Sequence, residues 1–237
     1  MMPRSPYIVF LILLIFFVIS FITNIIGPLM PDIIESFNLS LTLVALIPFA
    51  FFIAYGVMSI PAGMLLLKFK EKHLIVSAFI VIFFGTILLA LLPSYLTALF
   101  SFFIIGCGMA VLQVVINPLL RVTGGEEHFA MYAVSAQLVF GFASFLSPLV
   151  YTQLASETFF LADYPFLQNL STFLIPKELP WISLYFLFSV ISLFMILILA
   201  FSKFPKVELK SNEKSGALAT HIKLFKNKQI QLFFLGM

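Results

Sequence analysis

Six long apolar runs, each bounded by charged or turn-forming residues, decide what this chain can fold into. They lie at about Tyr7–Met30, Leu43–Leu67, Leu74–Leu92, Tyr95–Leu120, Phe129–Leu154 and Trp181–Phe201. At 1.5 Å per residue each is long enough to cross the roughly 30 Å of bilayer hydrocarbon as a helix. Only 10% of the residues are charged and 62% are hydrophobic, whereas a soluble domain carries about 25% charged residues. The 31 phenylalanines suit lipid-facing helices better than a compact core. The expected fold class is therefore an all-α membrane protein, a six-transmembrane-helix bundle.

Loop charges give the orientation. With the N-terminus in the cytoplasm, Arg4, Lys68, Lys70, Lys72, Arg121, Lys203, Lys206, Lys210, Lys214, Lys223, Lys226 and Lys228 all fall inside, leaving only Lys177 of the 13 basic residues outside. Cytoplasmic loops gather lysine and arginine, so the reverse orientation is disfavoured. The acids split evenly, and Asp32 and Glu35 sit at the outer end of the first helix, where solvation is expected. No charged side chain is left at mid-membrane. The first run is too long for a signal-peptide core and lacks a small-residue cleavage site, so it is expected to remain as a helix. The expected location is the cell (inner) membrane, with several passes and a cytoplasmic N-terminus.

Residues 1–201 read as an N-terminal six-helix transmembrane bundle, 202–228 as a charged cytoplasmic central linker, and 229–237 as the first turns of a seventh transmembrane helix. The fifth and sixth runs are joined by Ala155–Pro180, which carries Phe159, Phe160, Tyr164 and Phe166 and leads to Trp181. Aromatic residues gather at bilayer interfaces, so part of this connection is expected on the membrane surface. The basic residues of Lys203–Lys228 are explained by that linker, and no nucleic-acid partner is expected.

Chemistry concentrates in the fourth run, over Val111–Glu127. Gln113 and Asn117 stand one helical turn apart, and so on one face. Such a face is costly to turn toward lipid and should line a helix interface or a watery cavity. Breaks are expected at Pro118 and at Gly124-Gly125, beside Arg121. Pro118 lacks an N–H and loosens the helix at Asn117. Neutral amides both donate and accept, which suits a polyhydroxylated ligand; the bland alternative is hydrogen-bonded glue between helices. Thr23 and Asn24 in the first run, and Ser135 and Gln137 in the fifth, are the comparable polar groups. Gly106, Gly108 and Ala110 read as small residues that let helices approach closely.

Shifting the chain by 90 residues lays Ile25-Ile26-Gly27-Pro28-Leu29-Met30 over Val115-Ile116-Asn117-Pro118-Leu119-Leu120. The first segment ends a helix on its way out and the second ends one on its way in, the pattern of a 3+3 inverted repeat. Enzyme signatures are missing: no nucleophile elbow, zinc-binding histidine pair, P-loop or haem-attachment motif occurs. Cys107 has no partner for a disulfide or a metal site. His73, His128 and His221 fall in expected loops. No cofactor is expected.

Several segments resemble the major facilitator superfamily, and within it the branch of fucose permeases and glucose/galactose transporters. They are Phe21-Ile22-Thr23 leading to Leu29-Met30-Pro31, Ile60-Pro61-Ala62-Gly63-Met64, Leu112-Gln113 with Asn117-Pro118, and Phe140-Gly141. The resemblance implies a sugar transporter with its substrate held between two six-helix halves, of which this chain carries the N-terminal one. It implies cation-coupled symport of a monosaccharide, with Gln113, Asn117, Asn24 and Gln137 lining the pathway. A glutamine at position 113 is similar to the glucose/galactose type, where the fucose type has a carboxylate. The branch also tends to carry an aspartate where Gly27 stands, and the wider superfamily one where Leu67 stands. The expected partners are a sugar, a coupling ion, the lipid bilayer and a C-terminal six-helix half. The competing expectation is a truncated or relic protein that keeps the fold without transport.

Overall fold

The computed structural model describes residues 5–155 and 179–204. Within them every regular element is helical, and six spans are long and apolar enough to cross a membrane. The first span pairs α1 (Pro6–Asn24) with α2 (Ile26–Phe37). The next four are α3 (Leu41–Lys68), α4 (Glu71–Leu91), α5 (Tyr95–Gly124) and α6 (Phe129–Ala155). The last is α7 (Ser183–Phe201). Short 3₁₀ turns, Glu126–His128 and Pro180–Ile182, precede α6 and α7. The expected linker beyond Phe204, the expected seventh-helix start at 229–237, most of the Ala155–Pro180 connection and His221 lie outside the described residues.

Local sequence explains the boundaries. Pro28 has no N–H to give the Asn24 carbonyl, so the first span breaks at Ile25 and helical bonding resumes with Leu29 N–H to the Ile25 carbonyl at 3.1 Å. The span does not end at Met30. It continues to Phe37, because Leu29 and Ile33 are fully buried and hold α2 against the bundle despite Pro31. Asp32 and Glu35 thus ride on a helix, half-buried and exposed respectively. Asn38 closes it in the left-handed region at φ 52°, a conformation asparagine tolerates. Ser40 and Ser94 cap α3 and α5 by accepting the N–H groups of Leu43 and Thr97 at 3.3 and 3.2 Å.

Two further expectations are corrected. The fourth span is not broken at Pro118; α5 runs through it to Gly124 and takes Arg121 into its last turn. Pro118 and its neighbours Leu119 and Leu120 are buried, so packing holds the helix together where one backbone bond is lost. The helix ends at Gly125, whose φ of 81° suits glycine alone, while a Cβ on Gly124 would sit 2.5 Å from the Tyr132 ring. The loop around Lys68–Lys72 shrinks to Phe69 and Lys70, which puts Lys72 and His73 in the first turn of α4.

Lys72 also has a structural partner. Its Nζ donates to the Ala200 and Ser202 carbonyls at 2.6 and 2.8 Å, capping α7 at the end where a cation complements the helix dipole. Replacing Lys72 with methionine keeps the aliphatic stem and removes both bonds. Charge-assisted hydrogen bonds contribute about 1.5–3 kcal/mol each, discounted here for partial exposure. We expect Lys72→Met to lower the melting temperature of the detergent-solubilised protein by roughly 3–6 °C. Lys70→Met, at an exposed position, should leave it unchanged.

Packing follows a two-fold logic. The first span packs on α6, the fourth span (α5) on α3, and the third (α4) on the sixth (α7). Exchanging spans one with four, two with five and three with six maps the first pairing onto the second and the third onto itself, as a 3+3 inverted repeat requires, whereas the extensive packing of α4 on α5 has no counterpart of like extent between the first span and α7. Glycines bring the helices close on α5: an added Cβ would meet the Phe51 carbonyl at 2.4 Å from Gly106, and Ile82 Cγ1 at 2.6 Å from Gly108. Beside the end of α2 Trp181 is buried and does not stand at the surface: its Nε1 donates to Ser36 Oγ at 2.9 Å and its ring meets Phe37 and Tyr185 edge-on. The bundle is covered unevenly. Only 22% of the apolar window of α3 and 17% of that of α6 are buried, against 61% for α5, so α3 and α6 are the least covered spans.

Candidate functional site

The amide pair of α5 is positioned by its contact with α3. Gly106 lies two turns before Gln113 on the same face and brings α5 against the α3 backbone at Phe51. One turn beyond Phe51, Tyr55 stacks at a tilt on the Phe51 ring, with centroids 5.7 Å apart, and its hydroxyl donates to Gln113 Oε1. Gln113 is half-buried, and its Nε2 has no hydrogen-bond partner among the described residues. Asn117 is exposed one turn further on. Its Nδ2 donates to the Gln113 carbonyl at 3.4 Å, which leaves its Oδ1 free among the described residues.

The first span holds its polar groups differently. Asn24 Nδ2 donates back to Ser20, to the carbonyl at 2.9 Å and to Oγ at 3.1 Å. Ser20 Oγ in turn donates to the Phe140 carbonyl of α6 at 2.6 Å, and Ser147 Oγ of α6 donates to the Phe21 carbonyl at 2.9 Å. Asn24 is thus committed through its nitrogen to a helix contact. The Thr23 hydroxyl is buried without a partner among the described residues. Gln137 stands exposed on α6 with its amide unpaired among the described residues, and Ser135 bonds back to the Met131 carbonyl.

The structure therefore joins Gln113 to Asn117 directly, and brings no recorded contact between that pair and Asn24 or Gln137. Three glycines, Gly27, Gly56 and Gly141, open onto space, with no atom within 4 Å of a Cβ built on them. Sequence reasoning missed Tyr55 and Ser20. For Ser20 a signal existed, since Ser20 and Asn24 are one helical turn apart. For Tyr55 it was weaker: a phenol amid the apolar residues of α3 wants a partner for its O–H. Away from these groups, the small void lined by Ile22, Ile26, Phe51, Phe102, Ile105, Tyr185 and Phe188 is predominantly apolar.

A bundle of six membrane-spanning helices that carries uncommitted amides within its spans is an architecture found in membrane transporters. The sequence matches the Major Facilitator Superfamily over residues 12–237, and the chain belongs to that family. It is a multi-pass membrane protein of a transporter family and not an enzyme. It is 38% identical over 117 residues to a glucose/galactose transporter of Brucella abortus, a match covering 48% of this chain and 28% of that one. It is 26% identical over 230 residues to the L-fucose-proton symporter of Escherichia coli, covering 92% of this chain and 52% of that one. The chain thus spans about half the length of the fucose symporter. Among solved structures, FucP in an outward conformation superimposes with a TM-score of 0.66 at 22% identity, over 93% of this chain and 57% of that one. A bacterial homologue of the human lysosomal transporter Spinster, facing inward, gives a TM-score of 0.69 at 17% identity, over 94% of this chain and 50% of that one. Those two likenesses establish the fold.

Proposed function

We propose that this chain supplies the first six-helix half of a transporter that carries a monosaccharide by alternating access, coupled to a cation. Gln113 and Asn117 are its principal sugar contacts, and Asn24 and Gln137 contribute further along the pathway. The observation that carries this reading is the unused hydrogen-bonding capacity of the amide pair. Gln113 Nε2 can donate and Asn117 Oδ1 can accept, one turn apart on a helix whose neighbour α3 is sparsely covered. A hydroxyl both donates and accepts, so adjacent sugar hydroxyls suit such a pair. The names of the two relatives, a glucose/galactose transporter and a fucose symporter, support the substrate class. The second half is expected to pack on α3 and α6, where the apolar side chains Phe52, Val57, Leu138 and Phe142 are exposed. Lysine and arginine distribution supports a cytoplasmic N-terminus. The direct test is uptake of labelled hexoses and deoxyhexoses by cells expressing the complete gene. Failure to transport any of them under either a sodium or a proton gradient overturns the reading.

A second reading, a transporter relic without activity, is favoured by one feature: Gly27 stands where the resembling branch tends to carry an aspartate. Space for that carboxylate exists, since nothing lies within 4 Å of a Cβ at Gly27. Gly27 also sits in the first turn of α2, where the helix dipole favours an acid. We expect Gly27→Asp to insert normally and to make hexose uptake respond to an inward proton gradient by about tenfold. No change in the response of uptake to external pH would show that this position takes no part in coupling.

A further inference from the structure

Tyr55 does more than join two helices. We propose that it is a positioning residue for the Gln113 amide, and that it makes the sugar atom opposite Gln113 a hydrogen-bond acceptor. This inference rests on the transport reading above and narrows what its site recognises.

An amide side chain can present either end after a half-turn about its last bond, exchanging a carbonyl for an NH₂. At Gln113 that choice is set by α3. Tyr55 gives its only proton to Oε1, which directs Nε2, without a partner among the described residues, toward the half-exposed side. Flipping the amide would leave Nε2 facing the phenol. The Tyr55 proton would then need another acceptor, and no other hydrogen bond of Tyr55 exists among the described residues. A part-buried hydroxyl left without an acceptor biases the amide toward one orientation by about tenfold. The ring is braced on the buried Phe51, whose backbone is in close approach to Gly106. The group left facing the ligand is a pure donor. It selects a hydroxyl or ring oxygen that accepts, and it does not require that oxygen to donate.

Galactose analogues separate these requirements. A deoxy sugar lacks the acceptor, whereas a deoxyfluoro sugar keeps an acceptor and lacks a donor. In the full-length transporter we expect one ring position at which deoxygalactose competes poorly for labelled D-galactose uptake while deoxyfluorogalactose retains competition. In Tyr55→Phe, which keeps the ring on Phe51, the amide is free to flip. The KM for D-galactose should rise about twofold, as the competent orientation falls to about half of the population, with the maximal rate unchanged, and the preference for the fluoro over the deoxy analogue should collapse. A purely structural role for the phenol would lower protein yield or melting temperature without changing that preference. An unchanged KM and preference in Tyr55→Phe, alongside loss of uptake in Asn117→Ala, overturns this inference alone. Normal uptake in Asn117→Ala and Gln113→Ala overturns the site reading itself, and absence of uptake by the wild-type protein removes both.

Discussion

Replacing Asn117 or Gln113 with alanine is expected to cut hexose uptake by about 100-fold or more, with the variant still inserted in the membrane at wild-type level. The size follows from the kind of contact. A site that hydrogen-bonds a sugar hydroxyl loses both the bond and the desolvation it offset when one partner is truncated, which costs roughly 3 kcal/mol or more. The two positions differ in what else they hold. Gln113 also accepts the Tyr55 hydroxyl, so its truncation disturbs the α3–α5 contact. Asn117 is exposed and bonds only the carbonyl of its own helix, at 3.4 Å. Its removal should change stability by no more than about 0.5 kcal/mol. Asn117→Ala is therefore the cleaner probe of ligand contact. Initial uptake rates, normalised to the amount of tagged protein in the membrane, give the measurement. Normal rates in both variants would reduce the amide face to helix glue.

The parts of this molecule that were legible in the sequence are those set by local pattern. Apolar length fixed the six spans, because a helix in lipid needs little beyond about 20 apolar residues. The i, i+4 spacing of Gln113 and Asn117 placed them on one face, and the structure keeps them in contact. The segments resembling the family lie on four of these spans. What escaped was long-range or cooperative. The Tyr55–Gln113 bond joins residues 58 positions apart, and the Lys72–Ala200 bond joins residues 128 apart. No local window contains either pair. Lys72 read as a topology residue because charge counting sees side and sign and not partners. Trp181 read as an interfacial aromatic because its indole could sit at the bilayer surface; only the neighbourhood of Ser36 and Phe37 shows it buried. Two prolines were poor guides to helix ends. Pro31 and Pro118 looked like stops, yet buried neighbours carry both helices past them. Pro28 does interrupt its helix, three residues after the break at Ile25.

The largest structural effect is expected at Gly106, and it ties the fold to the site. A Cβ there would lie 2.4 Å from the Phe51 carbonyl oxygen and 3.0 Å from Ala54 Cβ. The first obstacle is backbone, so no rotamer change relieves it. Helices α3 and α5 would have to move apart by roughly 1 Å to restore van der Waals contact. Overpacking of this kind costs about 1–3 kcal/mol or more, and valine adds two further methyl groups to the same space. We expect Gly106→Val to lower the yield of monodisperse, detergent-extracted protein several-fold. Gly106→Ala should reduce the melting temperature by roughly 4–8 °C. Gly27→Ala meets nothing within 4 Å and should be neutral, or stabilising by up to about 1 kcal/mol through helix propensity. A second consequence follows from the register of the two helices. Phe51 is one turn from Tyr55, and Gly106 two turns from Gln113. Separating the backbones at the glycine therefore draws the Tyr55 hydroxyl away from Oε1. The fraction of Gly106→Ala protein that does fold should consequently show the altered sugar selectivity of Tyr55→Phe, although residue 106 itself is too deeply packed to touch a ligand. If Gly106→Ala melts like the wild type and keeps its selectivity, the close approach of α3 to α5 is not what positions the amide.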